Sequence, residues 1–564
     1  MLGWAFIGLM MVGLFGFPLT MGMPLGDPDE GVHAMIAQEM VERGDWITPR
    51  LLGQPFRDKP ILYFWLQAMS LAMFGMNEVA VRLPGMLVAA CGVVTTGILA
   101  GRLFDRRAGL IAASLYATMI LPTALAQMPV HDILLVPCVT LAILGLWNAE
   151  RAAGWRRLWY AVAAGIALGL AGLAKGLPGV AVVGVAYAIY FTIDNGLAIV
   201  RFARGSASEA DRKALANAVP TMLAGLAALL VGAVVAVPWY VACEIRDPGY
   251  LRYFFVDRHV KGFVSSTQSH GGRPFWYYIP FIVLGGLPAA GYVPSLLLEC
   301  WRTRQIDRPT LLTVSWLLGG LAFFSAASSK LVTYIWPLLP AIAILAAVPW
   351  ARLLSGSLGD ASRRLLSAAF HISCWSGCIV LPATAWAVRE IGGIGISGWG
   401  WLAIGLATCM SLLPLWCWRT GRIGACVAAG GAAVTLQFMV FMKTVFVPLA
   451  AGFSARDLAH HFNSVGNVPR QVITLNHPAY SQVFYLEPSL RTGLDRSRFS
   501  VCLSRDYGRW PAFDPEAVVA VDEVQLKKIS KTVRLDGLSF ERVGSWRLYP
   551  AAVFGERGAS HDSR

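Results

Sequence analysis

The sequence predicts an all-α polytopic membrane protein that ends in a small α/β domain. Three observations lead to this fold class. Hydrophobic residues make up 56% of the 564 residues and charged residues only 14%, a composition far from that of soluble proteins. Apolar stretches of membrane-spanning length follow one another to about residue 451. Basic residues collect in every second connecting loop, as expected when the spans alternate in direction.

The predicted spans are apolar stretches of about 17 to 25 residues, the length that crosses a bilayer core. The first lacks a basic leader and a small-residue cleavage pattern before Asp27, so we expect a retained span rather than a signal peptide. About thirteen spans are predicted in chain order. They are 4–25, 79–101, 108–122, 130–149, 158–174, 177–198, 216–242, 276–299, 310–327, 331–350, 366–388, 399–418 and 423–451.

Loop charge orients these spans. With the first loop outside, six loops face the cytoplasm, and all six are basic. The long loops 27–78 and 243–275 then both lie on the outer face and together suit the roof of a cavity. Because most cations lie in short cytoplasmic loops, the net charge of +14 reflects topology and predicts no nucleic-acid partner.

Composition also predicts the domain organisation. Residues 1–453 form the transmembrane domain, residues 454–552 a periplasmic α/β domain and residues 553–564 a disordered tail. The odd span count places the C-terminal domain on the same outer face as the two long loops. Its predicted strands are Gln471–Leu475, Gln482–Leu486, Ala517–Val521 and Trp546–Leu548, and its predicted helices are Arg456–Phe462 and Glu523–Ile529.

The first long loop opens on a dense acidic group. Asp27 suits the N-cap of a helix, Pro28 its first position and Glu30 the reciprocal capping site, and the helix is predicted to run to Gly44. Capping alone therefore explains Asp27 and Glu30. Asp29 is not needed for the cap, and we interpret it as a candidate general base. The helix has an amphipathic pattern, which predicts that it lies flat at the membrane surface.

One further segment suits a lipid-linked phosphate, and another places two polar residues at the outer end of a predicted span. Lys59 leads into the aromatic and apolar run 61–66, where an ammonium can neutralise an anion while the rings cover an isoprenoid tail. Ordinary snorkelling of the lysine is the alternative. Farther along, Lys330 and Tyr334 share a face at i and i+4 if the next helix has begun.

The remaining candidates lie at the outer ends of other spans. Arg258 and Lys261 stand among aromatic residues in the second long loop, a pattern that suits either a phosphorylated lipid or a solvated loop. Asp132 begins a span and Lys175 occupies a short outer turn. An ionisable group at such a place is a functional hypothesis, with helix capping as the alternative for Asp132. The ten cysteines predict neither a disulfide framework nor a CxxC metal site.

These motifs, in this order, resemble the bacterial aminoarabinose transferase family and its wider relatives, the protein O-mannosyltransferase-like glycosyltransferases of GT-C fold. The resemblance extends from Asp29 to about Pro340. It rests on DEGVHAMIAQEMVERGDWITPRLLGQPFRDKPILYFWL, NEVAVRLP, HDILL, GLAKGLPG, PFWYYIP and SSKLVTYIWPLLP.

The resemblance implies an inverting transfer of a sugar, such as 4-amino-4-deoxy-L-arabinose, from a polyprenyl phosphate carrier such as undecaprenyl phosphate. The implied acceptor is lipid A or another envelope molecule on the periplasmic side of the bacterial inner membrane. A protein acceptor, as in protein O-mannosylation, and a transporter or flippase of the lipid-linked sugar are the alternatives. No cofactor beyond the donor lipid is implied, although the acidic pair is able to bind a divalent metal. The protein is expected to be a monomer.

The family's functional positions carry over residue by residue. The acidic position that acts on the acceptor matches Asp29. The positions on the side of the carrier phosphate match Lys59, Lys330, Tyr334, Lys261 and Arg258. The acceptor-side or supporting carboxylates match Glu30, Asp132 and Asp58.

The chain departs from the family pattern at two places. Val32-His33 stands where the family has Arg-Tyr, which removes a cation near the candidate site. Asp58 replaces the glutamate that precedes Lys-Pro. Both departures bear on which sugar and acceptor are used, and neither affects the predicted fold.

Overall fold

The computed structural model describes residues 2–264, 272–392 and 395–554, except positions 477, 492–493, 495, 505, 507–512, 515, 534 and 536. Helices dominate its transmembrane part. In the N-terminal half they are α1 Leu2–Met11, α2 Asp29–Arg43, α3 Leu62–Phe74, α4 Glu78–Leu103, α5 Arg106–Ala117, α6 Ile120–Leu125, α7 Leu135–Arg151, α8 Gly154–Lys175, α9 Leu177–Ala203 and α10 Glu209–Arg246.

The helices continue through the second half of the chain. They are α11 Lys261–Val264, α12 Tyr278–Gly285, α13 Val293–Thr303, α14 Arg308–Ala326, α15 Leu339–Leu354, α16 Asp360–Gly392, α17 Gly398–Cys409, α18 Leu412–Arg419, α19 Ile423–Phe441, α20 Val447–Ala451, α21 Arg456–Val465, α22 Ser481–Tyr485, α23 Pro488–Arg491 and α24 Glu523–Ile529. Short 3₁₀ or π segments extend several of them, including Arg252–Val260 before α11 and Val332–Leu338 before α15.

Eleven helices of the described chain are long and apolar enough to cross a membrane, and a bent pair raises the number to twelve. The pair is Phe275–Gly285 with Ala289–Thr303, which meet at 95°. Pro288 at the bend has no backbone N–H to continue the helical ladder. These spans confirm the predicted fold class of an all-α polytopic protein.

The predicted span 108–122 has a different structure. It consists of α5 and α6, separated at Thr118 and Met119, so neither helix alone has the length of a span. Pro122 explains the break, because it cannot donate to the carbonyl four residues earlier and its ring crowds that carbonyl. Most of α5 is nevertheless buried, packed against α4 and α15.

The centre of the transmembrane part is α15. Every residue from Leu339 to Ala351 is buried, which agrees with its place against α5, α13 and α14. A helix that is apolar on all sides must be covered on all sides by other helices when it stands inside a bundle. The surrounding helices therefore form a scaffold around α15.

Small residues let α8 and α10 approach closely. Gly165 and Gly169 lie four residues apart on α8, and a Cβ atom built at Gly169 would lie 2.8 Å from the carbonyl oxygen of Gly232 on α10. A spacing of two small residues on one helix face is typical of membrane helices whose backbones nearly touch. The contact helps to fix the C-terminal half of α8, which ends at Lys175.

We expect Gly169→Ala to destabilise the protein by about 1–3 kcal/mol, because the added methyl group overpacks this contact. The higher helix propensity of alanine, about 1 kcal/mol, offsets only part of that loss. Gly184→Ala is the matched control, since a Cβ atom at Gly184 meets nothing within 4 Å. Melting temperatures in detergent compare the two variants, and equal values would contradict the proposed helix contact.

Helix α2 ends as predicted, with Gly44 in a left-handed conformation at its end, but it begins at Asp29, one residue after the predicted first position Pro28. The predicted capping is wrong. Pro28 is the residue at the N-cap, and no side chain caps the helix. The carboxylates of Asp27 and Glu30 instead bind distant parts of the chain. Most of α2 is buried between α3 and α22, so it is not an exposed surface helix.

A five-stranded sheet lies in the C-terminal part, in the order β4-β3-β5-β7-β6. Strand β3 pairs in parallel with β4 and β5, whereas β7 pairs antiparallel with β5 and β6. The strands are β3 Val472–Leu475, β4 Phe499–Cys502, β5 Val518–Asp522, β6 Glu541–Val543 and β7 Trp546–Pro550. A separate hairpin in the first long loop contains β1 Arg50–Leu51 and β2 Gln54–Pro55. The mixed sheet with α21 and α24 confirms the α/β character of this part.

One predicted strand of this part is wrong. Residues 482–485 of the predicted strand Gln482–Leu486 belong to α22, and strands β4 and β6 were not predicted. Short apolar runs are ambiguous between strand and helix, and packing against α2 decides this one. Toward the C-terminus, Phe554 is buried against Tyr549. The rest of the predicted tail, 555–564, lies outside the described residues.

Candidate active site

A cavity of about 420 Å³ lies where α8 meets α9 and both long loops come together. Most of its wall is apolar. The apolar lining includes Leu135, Leu177, Pro178, Ala181, Phe254, Val260, Phe263, Phe323 and Phe324. Three cations line it, Lys59, Lys175 and Arg258, against the single carboxylate of Asp58. An apolar cavity with an excess of positive charge suits an amphipathic anion.

The positive charges of the cavity repel one another. Burial lowers the pKa of Lys59, the charge of Lys175 lowers it further, and Asp132 acts in the opposite direction. An enclosed ammonium beside a second cation gains most from an anion placed between them. The Lys59 ammonium is thus prepared for a negatively charged ligand.

Lys175 is fixed by two partners. Its ammonium forms an ion pair with Asp132, the residue that begins the span of α7. The same Nζ lies 4.0 Å from the ring centroid of Tyr334, a cation–π contact. Gly176 follows with φ at +82°, which reverses the chain before α9 and leaves room for His259. A side chain here would collide with that imidazole, so the turn requires glycine.

The two long loops meet at the cavity, as the sequence predicted. Arg57 donates to Asp247 with Nε 2.7 Å from Oδ2. Tyr253 donates its hydroxyl proton to Asp58 at 2.5 Å, and Nε of Arg258 lies 3.8 Å from the same carboxylate. Burial, then this hydrogen bond, raises the pKa of Tyr253 to about 12, so the phenol stays protonated at neutral pH. Asp58 therefore orients two residues of the second loop.

We expect Tyr253→Phe to weaken the binding of a lipid-linked phosphate in this cavity by up to about tenfold. The hydroxyl bond to Asp58 is worth about 1 kcal/mol net, and its loss leaves Arg258 less firmly held at the cavity. Isothermal titration in nanodiscs measures the effect. Tyr160→Phe serves as a control, because Tyr160 lies exposed near the opposite end of α8. Equal affinities for the two variants would contradict a role for Asp58 in orienting Arg258.

Two predicted phosphate-side residues point away from the cavity. The ammonium of Lys330 is buried and donates to the carbonyl oxygens of Ala327 and Arg273. Leu331 is extended and helical structure starts only at Val332, so Lys330 does not share a helical face with Tyr334.

The second of these residues is Lys261. Its side chain is 61% exposed and pairs with Asp257 at 2.5 Å. Lys175, which the motif GLAKGLPG contained, lines the cavity together with Lys59 and Arg258. Both Lys261 and Lys330 remain predictions as ligands of a carrier phosphate.

Asp29 is exposed at the start of α2 and is not among the residues that line the cavity. Two buried histidines, His33 and His131, lead from Asp29 to the neighbour of Asp132. His33 Nδ1 lies 2.6 Å from the carbonyl oxygen of Asp29, and the His33 ring lies 4.9 Å from that of His131. His131 precedes Asp132, the partner of Lys175. Burial lowers the pKa of His33 to about 4, so this imidazole is neutral at pH 7.

Glu30 has a structural partner that the sequence did not predict. Arg82 of α4 forms a buried ion pair with it, with Nη2 2.8 Å from Oε2. The same oxygen of Glu30 accepts from the backbone N–H of Gly26 at 2.6 Å. Arg82 stands in the motif NEVAVRLP, which is the sequence feature that could have indicated this partner of Glu30. Glu30 thus stabilises the turn that precedes α2.

Within the described ranges, no group of three or more His, Cys, Asp or Glu side chains is placed to hold a metal ion. Asp29 and Glu30 are sequence neighbours, but Glu30 is engaged by Arg82.

Comparison with known proteins supports the resemblance. The sequence pattern of the dolichyl-phosphate-mannose-protein mannosyltransferase family matches residues 58–203. An undecaprenyl phosphate-alpha-4-amino-4-deoxy-L-arabinose arabinosyl transferase of Aeromonas hydrophila is 31% identical over 358 residues, which cover 62% of this chain and 59% of that protein. A protein of the same name from Pseudomonas aeruginosa strain UCBPP-PA14 is 34% identical over 339 residues, covering 60% of this chain and 58% of that protein. The match thus spans about three fifths of these relatives.

The fold matches over nearly the whole chain. ArnT from Cupriavidus metallidurans in the apo state superposes with a TM-score of 0.72 at 22% identity and covers 98% of each chain. The same protein bound to undecaprenyl phosphate gives a TM-score of 0.71, with 97% of this chain and 98% of that chain covered. This chain therefore has the fold of that protein. Together with the family match and the curated relatives, these findings confirm the resemblance to aminoarabinose transferase-like proteins of GT-C fold.

Proposed function

We propose that this protein is an inverting glycosyltransferase that takes a sugar from a polyprenyl phosphate carrier at the periplasmic face of a bacterial inner membrane. One observation carries the proposal. The cavity combines three cations with a largely apolar wall, as a phosphate head attached to an isoprenoid chain requires. The basic loops at the opposite ends of the spans support the periplasmic orientation.

The charges of the cavity suit the chemistry of the donor. When the bond between the sugar and the carrier phosphate breaks, the phosphate gains negative charge. Fixed cations then stabilise the transition state more than the ground state, which accelerates the reaction. Lys59, Lys175 and Arg258 are the groups that we assign to the phosphate, and Tyr334 lies against Lys175 on the same side.

Asp29 is assigned to the acceptor side. Its exposed position outside the cavity suits a group that meets an incoming acceptor rather than the carrier. As a base it takes a proton from the acceptor hydroxyl while that oxygen attacks the sugar on the face opposite the leaving phosphate, which inverts the anomeric centre. An acceptor phosphate that is already ionised needs orientation more than proton removal.

The names of the curated relatives support a donor. They refer to undecaprenyl phosphate-linked 4-amino-4-deoxy-L-arabinose, so we propose this lipid as the donor. Lipid A is proposed as the acceptor on the family resemblance of the sequence motifs alone. Val32-His33 stands where the family has Arg-Tyr, which removes a cation beside the candidate site. Another envelope molecule or a protein is therefore kept as an alternative acceptor. The protein is proposed to act as a monomer with these two lipids as its partners and no further cofactor.

A deletion strain and the purified protein test the proposal together. Mass spectrometry of lipid A and envelope glycans is expected to reveal the loss of one defined sugar in the deletion strain, restored by the wild-type gene. The purified protein in nanodiscs is expected to transfer that sugar from undecaprenyl phosphate. An unchanged set of envelope glycans, with no transfer in vitro, would refute the proposed activity. Loss of a lipid-linked sugar from the outer leaflet alone would instead favour a flippase.

A further inference from the structure

The turn that carries Asp29 is held from the transmembrane side by a single arginine. Arg82 donates to the carbonyl oxygen of Met23 at 2.5 Å and to that of Pro24 at 2.8 Å. It also holds the carboxylate of Glu30 through two hydrogen bonds. Arg82 is buried, so these bonds are shielded from water. The chain before α2 is therefore attached to α4.

The C-terminal part holds the same turn from the opposite side. Ser481 is fully buried at the start of α22. Its backbone N–H donates to Oδ1 of Asp27 at 2.7 Å, and its hydroxyl donates to Oδ2 of the same carboxylate. The hydroxyl oxygen also accepts from the backbone N–H of Ala455 at 3.0 Å. The backbone N–H of Asp27 donates to the carbonyl oxygen of Phe453 at 2.9 Å.

A tyrosine and an arginine extend this contact. The hydroxyl of Tyr485 accepts from the backbone N–H of Leu25 at 2.8 Å and donates to Glu78 of α4 at 3.0 Å. Arg491 binds Glu42 near the end of α2 at 2.5 Å. Residues 453–491 thus bind the chain immediately before Asp29 as well as both ends of the helix that follows it.

Packing at the contact leaves no space for a further atom. A Cβ atom at Gly31 would collide with the carboxylate of Asp27 and with the backbone of Ser481. Backbone approaches this close need a residue without a side chain. The C-terminal part and α2 therefore contact each other directly, with little freedom for one to move alone.

We infer that the C-terminal part of the chain positions the Asp29 turn for catalysis, with Ser481, Asp27 and Tyr485 as positioning residues. This inference rests on the proposed function, because its catalytic consequence requires Asp29 to act on the acceptor. Ser481 and Tyr485 are not among the residues that line the cavity. Their contribution is therefore to the rate of transfer rather than to the binding of the carrier.

The Asp27 carboxyl also makes the contact sensitive to pH. The charged and polar groups that face it are Glu30, which is paired with Arg82, the Ser481 hydroxyl and N–H, and the N–H of Ala455. Desolvation by burial raises the pKa of Asp27 from its ordinary 3.8 to about 7, although the Ser481 bonds act in the opposite direction.

The sign of this pH effect follows from linkage. A carboxyl whose pKa is higher in the folded protein stabilises the fold fully below about pH 4, and this contribution is lost as the pH rises through about 7. Asparagine at position 27 does not titrate. The melting temperature of Asp27→Asn relative to wild type is therefore expected to rise between pH 6 and pH 8, and a constant difference would contradict the assigned ionisation.

Hydrogen exchange on the full-length protein in nanodiscs tests the contact without any need for activity. Ser481→Ala is expected to accelerate amide exchange in Leu25–Gly31 by at least about tenfold, because two bonds to Asp27 are weakened or lost. Tyr485→Phe, which removes a hydroxyl and creates no large cavity, is expected to do the same at Leu25. Ser464→Ala is the control, since Ser464 is exposed and bonds only within α21. Unchanged exchange in both interface variants would overturn the inference.

Steady-state kinetics then separates positioning from general stability. Ser481→Ala and Tyr485→Phe are expected to lower kcat by about ten- to a hundredfold, because a misplacement of about 1 Å has effects of that size. KM for the lipid-linked donor is expected to stay within about twofold of wild type. Faster exchange with an unchanged kcat would overturn the positioning role. If the wild-type protein transfers no sugar at all, the proposed function fails, and the exchange result alone decides whether the C-terminal part holds the turn.

Discussion

Lys59→Ala is expected to weaken the binding of undecaprenyl phosphate by about thirty- to several-thousandfold. The Lys59 ammonium is enclosed beside the cavity and lies near the like charges of Lys175 and Arg258. Removing one partner of an enclosed, hydrogen-bonded charge pair costs about 2–5 kcal/mol, and each 1.4 kcal/mol corresponds to about a tenfold change in Kd. Native mass spectrometry or titration in nanodiscs, with undecaprenyl phosphate as the ligand, measures the change directly.

The matched control is Lys213→Ala. The Lys213 side chain is 72% exposed and pairs with Glu209 on the helix surface, where such a pair contributes little. Its variant is expected to bind the lipid like wild type. An unchanged affinity in Lys59→Ala would remove this lysine from the phosphate site, and the same loss in both variants would indicate a non-specific effect of net charge.

The fold was predictable because membrane spans are encoded locally, in the length and polarity of each stretch. The division of the predicted span 108–122 into two helices has an equally local cause, Pro122. Hydropathy does not detect this cause, because it measures the apolar character of side chains and not the loss of a backbone hydrogen-bond donor. The C-terminal strands were harder to predict. Their pairing joins distant segments, and residues 482–485 became helical because α2 lies against them.

The cavity was predictable in part. Lys59, Asp58, Arg258 and Tyr334 line it together, as motif order suggested. The prediction that Lys330 and Tyr334 share a helix face required both residues to lie in one helix. Leu331 between them is extended, so this requirement is not met. Sequence spacing reports a shared face only when the secondary structure between the two residues is regular.

Asp27 and Glu30 illustrate the opposite error. Their positions in the sequence fit a helix cap, so the local capping preference gave no reason to expect partners elsewhere in the chain. In the structure each carboxylate has a partner from another part of the chain, Ser481 for Asp27 and Arg82 for Glu30. A buried carboxylate gains more from enclosed donors than an exposed cap provides. Such long-range partners cannot be read from the spacing of neighbouring residues.

Asp29→Asn is expected to lower the rate of sugar transfer by about a hundred- to ten-thousandfold, the usual contribution of a general base. Asparagine keeps the size of the side chain but cannot take a proton. Because Asp29 does not line the cavity, the affinity for undecaprenyl phosphate is expected to remain that of wild type. Single-turnover transfer assays measure the rate, and titration with the carrier lipid measures the affinity.

The two readouts together discriminate between the possible roles of Asp29. Glu209→Gln, which removes an 82% exposed carboxylate far from the cavity, is the control and should transfer at the wild-type rate. A loss of less than about tenfold in Asp29→Asn would indicate that the acceptor arrives already ionised and that this carboxylate only orients it. A loss of carrier affinity would place Asp29 on the phosphate side. If lipid transport persists in the variant and the wild type never transfers sugar, a flippase explains the cations of the cavity better than an enzyme does, because moving a lipid phosphate also requires its charge to be neutralised.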